Sequence, residues 1–255
     1  MDLRNCTKQE LSQMPYEYVC EAYYQHNPNA VWILGVFFRH GKNGAPQNYE
    51  KARQLLEIAY EYEGAGSGFI LGNIYEEGLG TTVDLKKAED YYCAFSEETH
   101  DPTGYSAAAF LYLKNENLPN RDEKIPEYLK KSEALGGCPL SDTLIGQLYI
   151  AGTPDFPKDI NKAVFYLERS KNYKILGDLF SDEKNIEPNY KLASYYYELG
   201  MSDNMDCCAK YAFLNLYYGS INESWTNVPK GISVAKKYLK TNNNCLLYTS
   251  PSPRD

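Results

Sequence analysis

Four aromatic residues mark one spacing along this chain: Phe38, Tyr75, Tyr112 and Tyr149 stand 37 positions apart. Gly35, Gly72, Ala109 and Gly146 keep the same interval, as do Gly41, Gly78, Asn115 and Gly152. A period of roughly 20 to 50 residues signals a solenoid or array, in which each unit buries its apolar face only against its neighbours. Two looser copies follow. One holds Leu176, Gly177, Phe180 and Ala193; the last holds Leu214, Tyr217 or Tyr218, Ala235 and Tyr238.

The clearest copy is Gly66–Glu98. Its first half carries Leu71, Gly72 and Tyr75, then Gly78 and Gly80; its second starts at Asp84 and carries Ala88, Tyr91, Tyr92 and Ala94. Apolar residues three and four apart predict helices, and strand-type runs are few, so the expected fold is all-α, built of antiparallel helix pairs. A good N-cap stands four residues before the repeat's alanine: Asn48, Asp84, Asp159 and Asn189. Such side chains accept from a free backbone N–H of the first turn. Gly231 fills that slot in the last copy. Arg121 fills it in the third, with Asp122 beside it, which predicts a helix starting one residue late. Glycine inside a helix costs about 1 kcal/mol relative to alanine. Gly35, Gly72, Gly146 and Gly177 therefore predict close approach of the partner helix, as do Ala52, Ala88, Ala163 and Ala193 opposite them.

The pattern Leu-Gly-x-x-Tyr-x-x-Gly-x-Gly, then Asp-x-x-Lys-Ala-x-x-Tyr-Tyr-x-x-Ala, resembles the Sel1-like repeat family, which is similar to tetratricopeptide repeats. Its signature residues here are Leu34, Gly35, Phe38 and Ala52, then Leu71, Gly72, Tyr75, Gly78, Asp84 and Ala88. Tyr112, Gly146, Tyr149, Ala163, Gly177, Phe180 and Ala193 continue the series. The match is strong in Gly66–Glu98 and good in Asn29–Gly64, Pro139–Ser170 and Lys174–Gly200. It is degraded in Tyr105–Gly136, where Ala108 and Ala109 replace Leu-Gly, and distorted in Cys208–Leu239 by a longer turn. The resemblance implies a right-handed α-solenoid of five to six Sel1-like units. They lie at about 29–64, 65–99, 104–136, 138–170, 172–200 and 205–240, within an array spanning 29–241. Residues 1–28 form an N-terminal capping helix or a worn repeat, with an apolar rhythm through Leu11, Met14, Tyr18 and Ala22. His100–Gly104 and Thr153–Lys158 are expected linkers or turns.

The same resemblance implies a non-catalytic scaffold or adaptor for protein–protein interaction in signalling or protein quality control. One alternative is the regulatory part of a larger protein. Another is a β-lactam-binding enzyme of the secreted Sel1-like subgroup, which staples each repeat with a cysteine pair. The seven cysteines here form no such pairs and no CxxC, which predicts free thiols in a reducing compartment.

Net charge is −8, against nucleic acid as a partner, since phosphate binding needs a basic stripe. Met1–Gln13 is polar, with no signal-peptide core. The longest apolar run, Ala30–Phe38, is far short of the ~20 residues a bilayer helix needs. The expectation is a soluble cytoplasmic chain with no membrane segment. His26, His40 and His100 are scattered and no HExxH occurs, so neither metal nor cofactor is expected. Gly64-Ala-Gly66-Ser-Gly68 follows a helical segment, which makes it an inter-repeat turn rather than a nucleotide loop. No Gly-x-Ser-x-Gly occurs. Glu76–Glu77 and Glu97–Glu98 read as solvated faces. Residues 242–255 are expected to be a disordered tail. Within it Cys245–Asp255 reads as a translated transposase sequencing adapter, so that the array would continue in the intact protein.

In tetratricopeptide-like stacks the first helices line the concave face. With Leu34, Leu71 and Ile145 turned towards the partner helix, 100° steps turn other positions towards the groove. These are Trp32, Val36, Arg39 and His40; Phe69, Asn73, Glu76 and Glu77; Phe110 and Lys114; and Gln147. The mixture of rings and charges predicts a protein or peptide partner lying along the groove of a monomer. Trp32 and Phe69 have a competing role, packing between neighbouring first helices.

Overall fold

The computed structural model describes residues 2–220 and 224–241; the expectations for the tail at 242–255 and for the adapter reading lie outside them. Among the described residues every regular element is a helix. The chain divides into two compact units, 1–141 and 142–255.

The first unit opens with two short helices, α1 (Lys8–Ser12) and α2 (Tyr16–Tyr24), that cover α3 (Pro28–His40). Leu3, Leu11, Val19 and Ala22 are buried there with Ala30, Ile33, Leu34 and Phe37. The first full helix of an array has an apolar flank that needs a cover, and this segment supplies it. Buried Asn27 fastens the cover: its Nδ2 donates to the carbonyls of Leu3 at 2.6 Å and Cys6 at 2.9 Å.

Three helix pairs follow: α3 with α4 (Tyr49–Glu63), α5 (Gly68–Glu77) with α6 (Leu85–Thr99), and α7 (Thr103–Lys114) with α8 (Arg121–Ala134). The first two pairs close on a glycine. A Cβ at Gly35 would stand 2.7 Å from Leu56 Cγ, and one at Gly72 would stand 2.5 Å from the Tyr92 ring. The absent side chain lets a bulky residue of the second helix reach the backbone of the first. A one-turn 3₁₀ segment, Ala65–Ser67, joins α4 to α5, so the glycine-rich stretch is indeed a turn. Asn48 and Asp84 cap α4 and α6, accepting at 3.0 Å from Lys51 N and Lys87 N.

The second unit holds most of α9 (Pro139–Ala151), then α10 (Ile160–Arg169), α11 (Tyr173–Ser181), α12 (Tyr190–Gly200), α13 (Met205–Ser220) and α14 (Val228–Thr241). The close approaches recur. A Cβ at Gly146 would stand 2.7 Å from Leu167 Cγ, and one at Gly177 would stand 2.3 Å from the Tyr197 ring. Asp159 and Asn189 cap α10 and α12 at 3.0 Å. Between α9 and α10 the Thr153–Lys158 loop is pinned by buried Phe156, whose ring meets Tyr149 edge-on at 5.4 Å.

Three boundaries differ from the sequence reading. Helix α8 starts at Arg121 itself, so its N-cap position is Asn120, one residue before the slot, not one after it. Asn120 precedes it in a left-handed conformation without a side-chain cap. Arg121 Nε instead donates to the Tyr112 carbonyl at 3.1 Å, and Asp122 and Glu123 place negative charge in the first turn, where the helix dipole favours it. Helix α14 starts a full turn before Gly231, because Asn227 Oδ1 accepts from Lys230 N at 3.1 Å. The expected linker His100–Gly104 is shorter, since Thr103 and Gly104 already belong to α7. Gly104 is buried where a Cβ would stand 2.1 Å from the Tyr92 carbonyl.

Candidate protein-binding face

The chain has 25 tyrosines, and a buried ring needs a partner for its hydroxyl. Carboxylates supply it repeatedly. Tyr92 donates to Glu76 at 2.8 Å, Tyr112 to Glu89 at 3.0 Å, Tyr196 to Glu168 at 2.8 Å and Tyr197 to Asp178 at 2.7 Å. Tyr75 donates to Glu57, which Arg53 also holds at 2.7 Å. These pairs decide which acidic residues are available at the surface.

Glu89 is the most enclosed. Only 5% exposed, it accepts from Tyr112, Tyr128 and Lys86. Burial works to raise its carboxyl, but the bonds from Tyr128, Lys86 and Tyr112 prevail and hold it below its ordinary value. In return burial, then Glu89, pushes the Tyr112 hydroxyl up to about 12. Nearby, burial pushes the Cys93 thiol up to about 11, so it stays protonated and poorly nucleophilic at neutral pH. No disulfide forms among the described residues, and Cys207 is fully buried.

The expected groove residues separate into packing and surface groups. Trp32 on α3 is half-buried against both the N-terminal core and the Leu56–Leu71–Ile74 core, with Lys8 Nζ 5.3 Å from its ring. Phe69 on α5 packs on Tyr92 and Phe95 at 5.6 and 5.7 Å. Asn73 Nδ2 turns back to the Phe69 carbonyl at 2.7 Å. Val36 and Arg39 are half-buried, and Arg39 lies near enough to Tyr92 to counter the rise of its hydroxyl. Glu76 departs from the solvated reading: its side chain is 12% exposed, held by Tyr92 and by Lys114 Nζ at 3.3 Å.

His40, Glu77, Phe110 and Lys114 are exposed. Burial, then the charges of Arg39 and Lys42, holds the His40 imidazole below its ordinary value, so it is neutral at pH 7. The Glu76–Lys114 pair links α5 to α7, and exposed Phe110 lies one turn before Lys114 on α7. Gln147 is exposed on α9 in the second unit.

Sequence reasoning placed Tyr92 in the repeat pattern but missed Glu57, Glu89 and Asp178, the carboxylates that hold tyrosine hydroxyls. The available signal was the Tyr92 position itself, one turn after Ala88 on the face of α6 that meets Gly72.

Among the described residues no group of acidic, histidine and cysteine side chains could hold a metal ion. No helix among them is long and apolar enough to cross a membrane.

Comparison with known proteins fits this architecture. The Sel1 repeat pattern matches residues 28–61, 69–100, 140–172 and 176–201. The chain belongs to the Sel1 repeat family. The Sel1 pattern passes over α7–α8, where Ala108 and Ala109 stand in place of Leu-Gly, and over α13–α14. The crystal structure of a Sel1 repeat protein from Oxalobacter formigenes is similar, with TM-score 0.69 and 17% identity over 92% of this chain and 98% of that one. So is c5321, a protective antigen of uropathogenic Escherichia coli with an SLR fold. It has TM-score 0.64 and 15% identity over 92% of this chain; the match spans 52% of c5321. Both likenesses concern the fold alone. No curated protein matches the sequence.

Proposed function

We propose that this Sel1 repeat chain is a non-catalytic, monomeric, cytoplasmic scaffold that holds a protein or peptide on the face shared by α3, α5 and α7. The observation carrying this reading is the exposed Phe110 ring one turn before Lys114, itself paired with Glu76, with Glu77 and His40 exposed on α5 and α3. An exposed ring among fixed charges is the composition of an interaction hot spot. Sel1 repeats in general mediate protein interactions, which supports the class of partner.

The test follows from which residues carry the fold. Trp32 and Glu76 pack or hold buried groups, so changing them disturbs the array as well as the surface. Phe110 and His40 do not have that drawback. A photo-crosslinking amino acid at Phe110 or His40 should capture a defined partner protein. The same group at Tyr62 on α4, which is 83% exposed, should not. Equal capture from all three positions would reject the assignment. The double variant Phe110→Ala, Lys114→Glu should lose that partner with its helix content unchanged.

A further inference from the structure

The second unit carries an aromatic surface that packing between its helices leaves open. Tyr190 opens α12, Phe213 and Tyr217 lie one turn apart on α13, and Trp225 stands in the connection to α14. The rings of Tyr190 and Tyr218 stack at 4.6 Å. Trp225 tilts onto Tyr218 at 5.6 Å, Tyr217 meets Tyr218 edge-on at 5.0 Å, and Phe213 stacks on Tyr217 at 5.7 Å. Phe213 is 62% exposed and Tyr217 is 56% exposed.

The stacked Tyr190–Tyr218 pair is a ridge between two open clefts. One, of about 380 Å³, is walled by Phe213, Tyr217, Tyr197, Ser181 and the ridge. The other, of about 370 Å³, is walled by Trp225, Pro188, Glu187 and the ridge. Acidic side chains edge the surface. Glu187 and Glu183 are both exposed, and Glu183 adds to burial and the Tyr190 hydrogen bond in raising the Tyr218 hydroxyl. Of the lysines nearby, Lys210 pairs with Asp178 and Lys184 with Asp182. That leaves Lys191 against two carboxylates.

We propose that these paired clefts bind an extended, proline-containing peptide with a basic residue at one end. A helix about 10–12 Å across needs one uninterrupted trough, and the ridge divides this one. A polyproline II segment has three residues per turn and no internal hydrogen bonds. It can seat one proline on each side of a ridge while its carbonyls accept from tyrosine hydroxyls and the indole N–H. Such segments are ordered before binding and dock on aromatic-lined grooves. The acidic rim complements the basic end. The site lies wholly in the second unit and does not depend on the face assigned to α3, α5 and α7.

The test is fluorescence anisotropy on the full chain, with a labelled peptide of proline-leucine-proline units ending in one arginine. Saturable binding is expected. Replacing the prolines by alanine should abolish it, and replacing the arginine by glutamate should weaken it. Tyr217→Ala should weaken binding about tenfold and Glu187→Lys about threefold, while Tyr62→Ala in the first unit leaves it unchanged. The proposal is overturned by no saturable binding, by equal binding of the alanine peptide, or by tighter binding of the glutamate peptide. An unaltered affinity in Tyr217→Ala overturns it too. Should that variant lose its helix content, Glu187→Lys decides, and its failure to weaken binding counts against the site.

Discussion

Glu89 shows how far a single residue can depart from its local sequence. In Leu-Lys-Lys-Ala-Glu-Asp it reads as one more charge on a solvated helix. Its burial comes from elsewhere: α7 supplies Tyr112 and α8 supplies Tyr128, 23 and 39 positions away. Glu89→Ala leaves two hydroxyls without their acceptor and should cost about 3 kcal/mol. Glu89→Gln keeps an acceptor and should cost less, as thermal unfolding of the two variants will show. The same carboxyl links stability to pH. Glu89 is held below its ordinary value, and so is Asp178, where burial is outweighed by Lys210, Lys174 and Tyr197. Their contribution is complete above the unfolded values. It is lost as pH falls through the folded ones, because the unfolded chain binds protons first. The melting temperature should therefore hold from neutrality to about pH 5 and fall below it. Glu89→Gln should flatten part of that fall.

At the scale of the helix pair the sequence was far more legible, because close approach leaves a glycine in the chain. Gly72 faces the Tyr92 ring, and any side chain there must displace it. Gly72→Leu should destabilise the α5–α6 pair by about 3 kcal/mol or more, seen as lost protection of α5 and α6 amides and a lower thermal midpoint. An unchanged midpoint would contradict the packing role. Asp84→Ala removes only a cap and should cost about 1 kcal/mol. Caps were readable where a side chain makes the bond at the repeat's own register, as at Asp84 and Asn189, and misread where no side chain caps the helix or where the cap stands outside that register. Arg121 enters its helix through a bond to a carbonyl of α7, and α14 takes its cap from Asn227. Neither follows from alignment with the other copies. Gly104 was taken for a linker residue because its crowding arises from the backbone of α6.

Across the whole molecule the charge is uneven. Residues 1–141 hold 21 Asp and Glu against 13 Lys and Arg, and residues 142–255 hold 13 of each, so the net −8 belongs to the first unit. A partner of that unit should be basic, and its association rate should fall as salt rises from low to physiological strength, since screening acts at about 8–10 Å. The repeat period made the all-helical array legible from sequence alone. The binding face was legible only in part: helical phase names the outward positions but not which of them tyrosine hydroxyls and neighbouring helices claim, as with Glu76 and Trp32. The most direct test of the scaffold account is amide hydrogen exchange on the full chain, with and without the partner captured at Phe110. The account predicts new protection along α3, α5 and α7, with α4, α6 and α8 little changed. Protection confined to α4, α6 and α8, or none in the first unit, would contradict it.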